Sequence, residues 1–116
     1  MTGADFVVKW GMKIVEKKYR GSQVCRVLGY PIAYAITRML LEKGPMSLDE
    51  IVKRVRRSKP TVCNHLAKLK LANIVRYDKQ WRRTSYWIKY PEEVGQFMKI
   101  CEKLVARTTR RLKKDY

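Results

Sequence analysis

The chain has 116 residues, with 27 Lys and Arg against 10 Asp and Glu, and a formal net charge of +17. That length suits one compact domain, and a 46% apolar share supplies material for its core. Such a charge repels itself in a compact chain and is easiest to understand beside a polyanion, nucleic acid first and an anionic membrane surface second.

No apolar run approaches the roughly 18–20 residues of a membrane span. The opening Met-Thr-Gly-Ala-Asp lacks the basic-then-apolar pattern of a secretory signal, so a cytoplasmic protein with no membrane partner is expected. Cys25, Cys63 and Cys101 lie far apart, with no CxxC or CxC pair. That pattern indicates neither a structural zinc site nor a disulfide framework. One His and scattered carboxylates leave few ligands for a metal or members for a triad, and no glycine-rich nucleotide loop is present. No cofactor and no enzymatic activity are expected.

A first helix is predicted over about residues 5–20, where Phe6, Trp10 and Ile14 recur every four residues. Val8, Met12 and Val15 make its other side partly apolar, so it should touch two things. Gly21-Ser22 breaks the pattern. Pro31 suits the first position of a second helix, since its missing N–H has no partner there. Ile32, Ala35, Ile36, Met39 and Leu40 should form its buried stripe, and Gly44-Pro45 ends it. Ser47-Leu48-Asp49-Glu50 is a capping box opening a short third helix that buries Leu48, Ile51, Val52 and Val55. Arg57-Ser58 makes a tight turn, and Ser58 caps a fourth helix through about Ala72, with Asn73 as a left-handed terminator.

In the fourth helix Val62, Leu66 and Leu69 define a core face. At about 100° per residue the opposite face centres near Asn64 and Pro60, flanked by Thr61 and Lys68 on one side and by Ala67 and Cys63 on the other. Strand-like runs follow at 74–77 and 85–90, joined by a basic tip over 78–84. Pro91-Glu92-Glu93 opens a last helix whose acids suit the positive dipole end. Val94, Phe97, Met98, Cys101, Leu104, Val105, Thr108 and Leu112 lie on one face, and Lys99, Lys103, Arg107, Arg110 and Lys114 on the other.

This order is a helix-turn-helix followed by a basic hairpin. The expected fold is mainly α with a small β-hairpin: a winged helix-turn-helix with N- and C-terminal dimerisation helices. The chain then resembles the ArsR-like family of winged-helix repressors. Ser58-Lys59-Pro60-Thr61-Val62-Cys63-Asn64-His65-Leu66 is similar to that family's recognition helix, and Leu71-Ala72-Asn73-Ile74-Val75 to its continuation. Leu28-Gly29-Tyr30-Pro31 and Ser47-Leu48-Asp49-Glu50-Ile51 match the openings of the second and third helices. The resemblance implies a homodimer, built mainly by the first and last helices, on a near-palindromic operator. The long apolar stripe of the last helix supports pairing independently. The family's metal-sensing members carry Cys in the third helix and His in the last, and neither is present here. No small-molecule effector can be named.

The expected organisation is a single winged-helix DNA-binding domain over 1–116, with dimerisation helices at about 5–20 and 91–114, the helix-turn-helix at about 47–72 and the wing at about 74–90. The expected function is a sequence-specific regulator of double-stranded DNA, a homodimeric repressor with its fourth helix in the major groove. A nonspecific DNA-coating or plasmid-maintenance protein is the alternative, favoured by the surplus charge of the last helix. Lys59, Thr61, Asn64 and Lys68 are the candidates for base edges, since Asn can bond adenine bidentately and Lys can reach guanine. Arg56, Arg57, Ser58 and His65 are candidates for phosphate, and Lys79, Arg82 and Arg83 for backbone or minor groove. Trp81, standing where the wing usually has Gly, can stack on sugar or base edges or cover the hairpin's own side chains. Phe6, Trp10, Val94, Phe97, Met98, Cys101, Leu104 and Val105 are the candidate dimer interface. Cys63 and Cys101 are the candidate redox thiols, and the plain reading of Cys101 is a small buried hydrophobe.

Overall fold

The structure is a computed structural model and describes residues 19–115. The predicted first helix therefore lies almost wholly outside the described residues, as do Phe6 and Trp10. In chain order the elements are α1 (Arg20–Leu28), α2 (Pro31–Lys43), β1 (Met46–Ser47), α3 (Leu48–Val55), α4 (Lys59–Leu71), β2 (Val75–Gln80), β3 (Arg83–Ile88) and α5 (Pro91–Asp115).

Gly21 and Ser22 do not interrupt a helix; they lie inside α1. Gly costs about 1 kcal/mol in a helix interior. Packing outweighs that here, because Val27 and Leu28 are buried and Val24 packs against the same core. Pro31 stands at the start of α2, and Gly44 ends it at φ +80°, as the Gly-then-Pro stop requires. The buried stripe of α2 is rotated from the predicted one. Ala33, Ile36, Thr37 and Leu40 are inside, whereas Ala35 is exposed. Thr37 is tolerated there because its hydroxyl donates to the Ala33 carbonyl at 2.8 Å, so no polar atom is stranded.

The capping box forms at α3. The Glu50 amide donates to Ser47 Oγ at 3.2 Å, and that hydroxyl donates to Glu50 Oε1 at 3.1 Å. Ile51 is fully buried, with Leu48, Val52 and Val55 packed around it.

The sheet has three antiparallel strands in the order β1-β3-β2. β1 pairs Met46 with Tyr86 and Ser47 with Ser85. Two residues carry no periodicity, so sequence patterning could not find this strand. The hairpin is longer than expected, since its pairing runs from Val75↔Ile88 to Gln80↔Arg83. Lys79, Gln80 and Arg83 are thus strand residues, and the turn is only Trp81-Arg82. Ile36, Leu40, Ile51, Val62, Leu66, Leu69 and Val75 lie at the centre of one core enclosed by the helices and the foot of the hairpin.

Candidate nucleic-acid interface

The turn before α4 is set by two local features. Arg56 takes a left-handed conformation at φ 58°, closing α3 through its amide to the Val52 carbonyl at 3.1 Å. Ser58 then caps α4, its Oγ accepting from the Thr61 amide at 3.4 Å. The two hydroxyls of Ser58 and Thr61 also lie 2.8 Å apart. Only three residues separate α3 from α4, and Arg56, Arg57, Ser58, Lys59 and Pro60 are all exposed. Arg57 donates to the Arg56 carbonyl at 3.2 Å.

Val62, Leu66 and Leu69 of α4 are buried at 0%, 1% and 0% exposure. Their burial orients the helix, so the Asn64 face opposite them is exposed. Of the four residues expected at base edges, Lys59 and Asn64 stand clear, while Thr61 is half-buried and shares its hydroxyl with Ser58. Lys68 turns aside, with its ammonium 4.4 Å from the centroid of the Tyr30 ring.

His65 joins the same group, its ring centroid 5.7 Å from that of Tyr30. Its Nδ1 is buried with no hydrogen-bond partner among the described residues. Burial, and then the Lys68 ammonium, hold its pKa below the usual histidine range. A neutral imidazole packed on Tyr30 is a weaker phosphate ligand than the charged one. Tyr30 itself, at the start of α2, carries no site signal in the sequence. Only the tertiary fold brings it beside α4.

The wing rises from a fastened foot. Val75 and Ile88 are buried at 0% and 7% exposure. Above them Tyr77 and Tyr86 stack at 5.8 Å, and the Lys70 ammonium lies 4.2 Å from the Tyr77 ring centroid. Burial, then the neighbouring Cys63 thiol and Tyr77, push the Tyr86 phenol above its ordinary pKa. Beyond this foot Lys79, Trp81, Arg82 and Arg83 are exposed. Trp81 sits at φ 61°, where a side chain costs roughly 1–2 kcal/mol relative to glycine.

Residues 31–77 match the family model described as bacterial regulatory protein, arsR family. That segment runs from the start of α2 through α4 into β2. Over that segment the chain is similar to arsR-family regulatory proteins. It is 28% identical over 90 residues to an HTH-type transcriptional regulator of Methanocaldococcus jannaschii, covering 78% of this chain and all of that one. The crystal structure of Rv0081 of M. tuberculosis superposes with a TM-score of 0.72 at 19% identity, over 84% of this chain and 95% of that one. HlyU from Vibrio cholerae does so with a TM-score of 0.67 at 20% identity, over 78% and 97%. At such identities the two structures establish the winged-helix fold.

Among the described residues, no group of three or more His, Cys, Asp or Glu could hold a metal ion. The described cysteines are free thiols, with Cys25 exposed and Cys63 and Cys101 half-buried. No single helix among the described residues is long and apolar enough to cross a membrane.

The last helix divides along its length. Met98 is buried, and Val94 and Phe97 pack against the core. Arg38 ties α2 to α5 through a 3.3 Å ion pair with Glu102. Beyond that point Leu104 and Val105 are 65% and 63% exposed, and Ile100 beside them 64%. Ile100 lies off the main apolar stripe of the helix, so spacing alone does not assign it to an interface.

Proposed function

We propose that this chain, similar to arsR-family regulators over residues 31–77, is a sequence-specific regulator of double-stranded DNA that acts as a homodimeric repressor on a near-palindromic operator. The observation that carries the reading is the exposed face of α4, presenting Lys59 and Asn64 next to the cationic turn Arg56-Arg57, together with the exposed cations of the wing. A helix of about 10–12 Å diameter fits a major groove about 12 Å wide. In this reading the buried Val62-Leu66-Leu69 face holds α4 rigidly while Asn64 and Lys59 meet base edges. Arg56 and Arg57 take phosphate, and the wing reaches the adjacent backbone or minor groove with Lys79, Arg82 and Arg83. The exposed Ile100-Leu104-Val105 patch pairs with a second copy, which places two α4 helices on one face of the duplex. The described residues 19–115 act as one winged-helix unit.

The net charge of +17 supports a second reading, a protein that coats DNA without reading it. Selection of bound fragments from a random duplex pool separates the two. A regulator prefers its selected sequence by roughly 10³ or more at physiological salt. Equal affinity for selected and scrambled duplexes would leave only the coating role.

A further inference from the structure

The tip of the wing carries a feature that phosphate contact does not require. Trp81 is 87% exposed, so its ring is not packed into the core. It also occupies the positive-φ position of a two-residue turn, at φ 61°, where glycine would be free of strain. Phosphate needs only cations, and Lys79, Arg82 and Arg83 already supply them. The Arg82 guanidinium carbon lies 5.3 Å from the Trp81 ring centroid, so cation and ring are held as a pair.

The arm behind this pair is stiff. Its foot is clamped by the buried Val75 and Ile88 and by the Tyr77–Tyr86 stack. A six-residue strand at about 3.3 Å per residue spans roughly 20 Å, and paired strands lie about 4.8 Å apart. Such a ribbon is too wide, once its side chains are added, to lie deep in a minor groove about 6 Å across. Only the tip side chains can enter.

We propose that Trp81 is a wedge residue that inserts at a deformable pyrimidine–purine step in the minor groove, while Arg82 neutralises the groove beside it. An aromatic wedge partly unstacks one step and kinks the duplex, and pyrimidine–purine steps yield most easily. The wing then selects sequence by deformability at a position that α4 does not touch. This inference rests on the reading of the chain as a duplex-DNA binder.

The test uses the full chain and the best duplex recovered from a random pool, carrying 2-aminopurine at successive positions on either side of the α4 half-site. With the unaltered chain, fluorescence rises at one step, because unstacking relieves quenching. Trp81→Phe keeps part of the rise. Trp81→Gly loses it and binds about tenfold more weakly, as expected for one lost aromatic–base stack. The glycine variant melts no lower than the parent, which excludes misfolding as the cause. Replacing the pyrimidine–purine step by purine–purine weakens the parent but leaves Trp81→Gly unchanged. Duplex binding without any fluorescence rise, or a rise that persists in Trp81→Gly, overturns the wedge and leaves duplex binding standing. Failure of the unaltered chain to capture any duplex overturns both.

Discussion

The rings of Tyr30 and His65 lie 5.7 Å apart at 58°, joining the start of α2 to the middle of α4. The Lys68 ammonium lies 4.4 Å from the centroid of the same tyrosine ring. Because burial and then Lys68 lower the His65 pKa, the folded chain disfavours the charged imidazole. The unfolded chain takes up its proton first, near pH 6.5. The stability that neutral His65 provides is therefore fully present above about pH 6.5 and declines as the pH falls through the lower folded value. Thermal melts from pH 7.5 to pH 5 should show this decline, and His65→Gln should reduce it. An identical decline in the variant would assign the effect to other groups.

Ser58 has two separable duties. Ser58→Ala removes the cap of α4 and the 2.8 Å partner of the Thr61 hydroxyl, at a cost of about 1 kcal/mol. Ser58→Asp keeps a capping oxygen and suits the helix dipole. It also brings a negative charge toward the proposed phosphate surface. The alanine variant should melt lower. The aspartate variant should melt near the parent yet bind DNA more weakly, as denaturation and titration together would reveal.

Asn64 and Arg82 should fail differently. Asn64→Ala costs about 1–3 kcal/mol on the selected sequence and relaxes the preference at one position. Arg82→Ala weakens every sequence and lowers the salt slope by about one. Binding isotherms across salt on selected and scrambled duplexes distinguish them. Uniform losses from both substitutions would be incompatible with base reading by α4.

Leu104 reports on pairing. It is 65% exposed on a helix whose earlier turns are packed into the core. Burying one such side chain contributes about 1.5–3 kcal/mol. Leu104→Glu should convert a dimer into a monomer by sedimentation equilibrium, with a weaker grip on a two-half-site duplex. An unchanged mass would move the interface elsewhere.

Much of the fold was legible because its signals are local. Pro31 and Gly44 bracket α2, and Ser47 and Ser58 cap the helices that follow, through contacts spanning at most four residues. Val62, Leu66 and Leu69 reveal the core face of α4 by spacing alone, so its outer face could be named as well. The left-handed Asn73 followed from its side chain's tolerance of positive φ, and it is found at φ 60°. Arg56 and Trp81 take the same conformation without any such signal, because tight turns and strand pairing impose it.

The tertiary structure decided what depends on distant neighbours. Ala33 rather than Ala35 is inside because α2 is covered on several sides, which blurs a single-stripe pattern. β1 exists only because β3 offers it a ladder. Lys68 and His65 meet Tyr30 from 35 or more positions away, and no periodicity encodes that meeting. The outward face of α4 is thus written in local spacing. Which of its side chains stay free to reach a ligand is decided by packing partners remote in sequence.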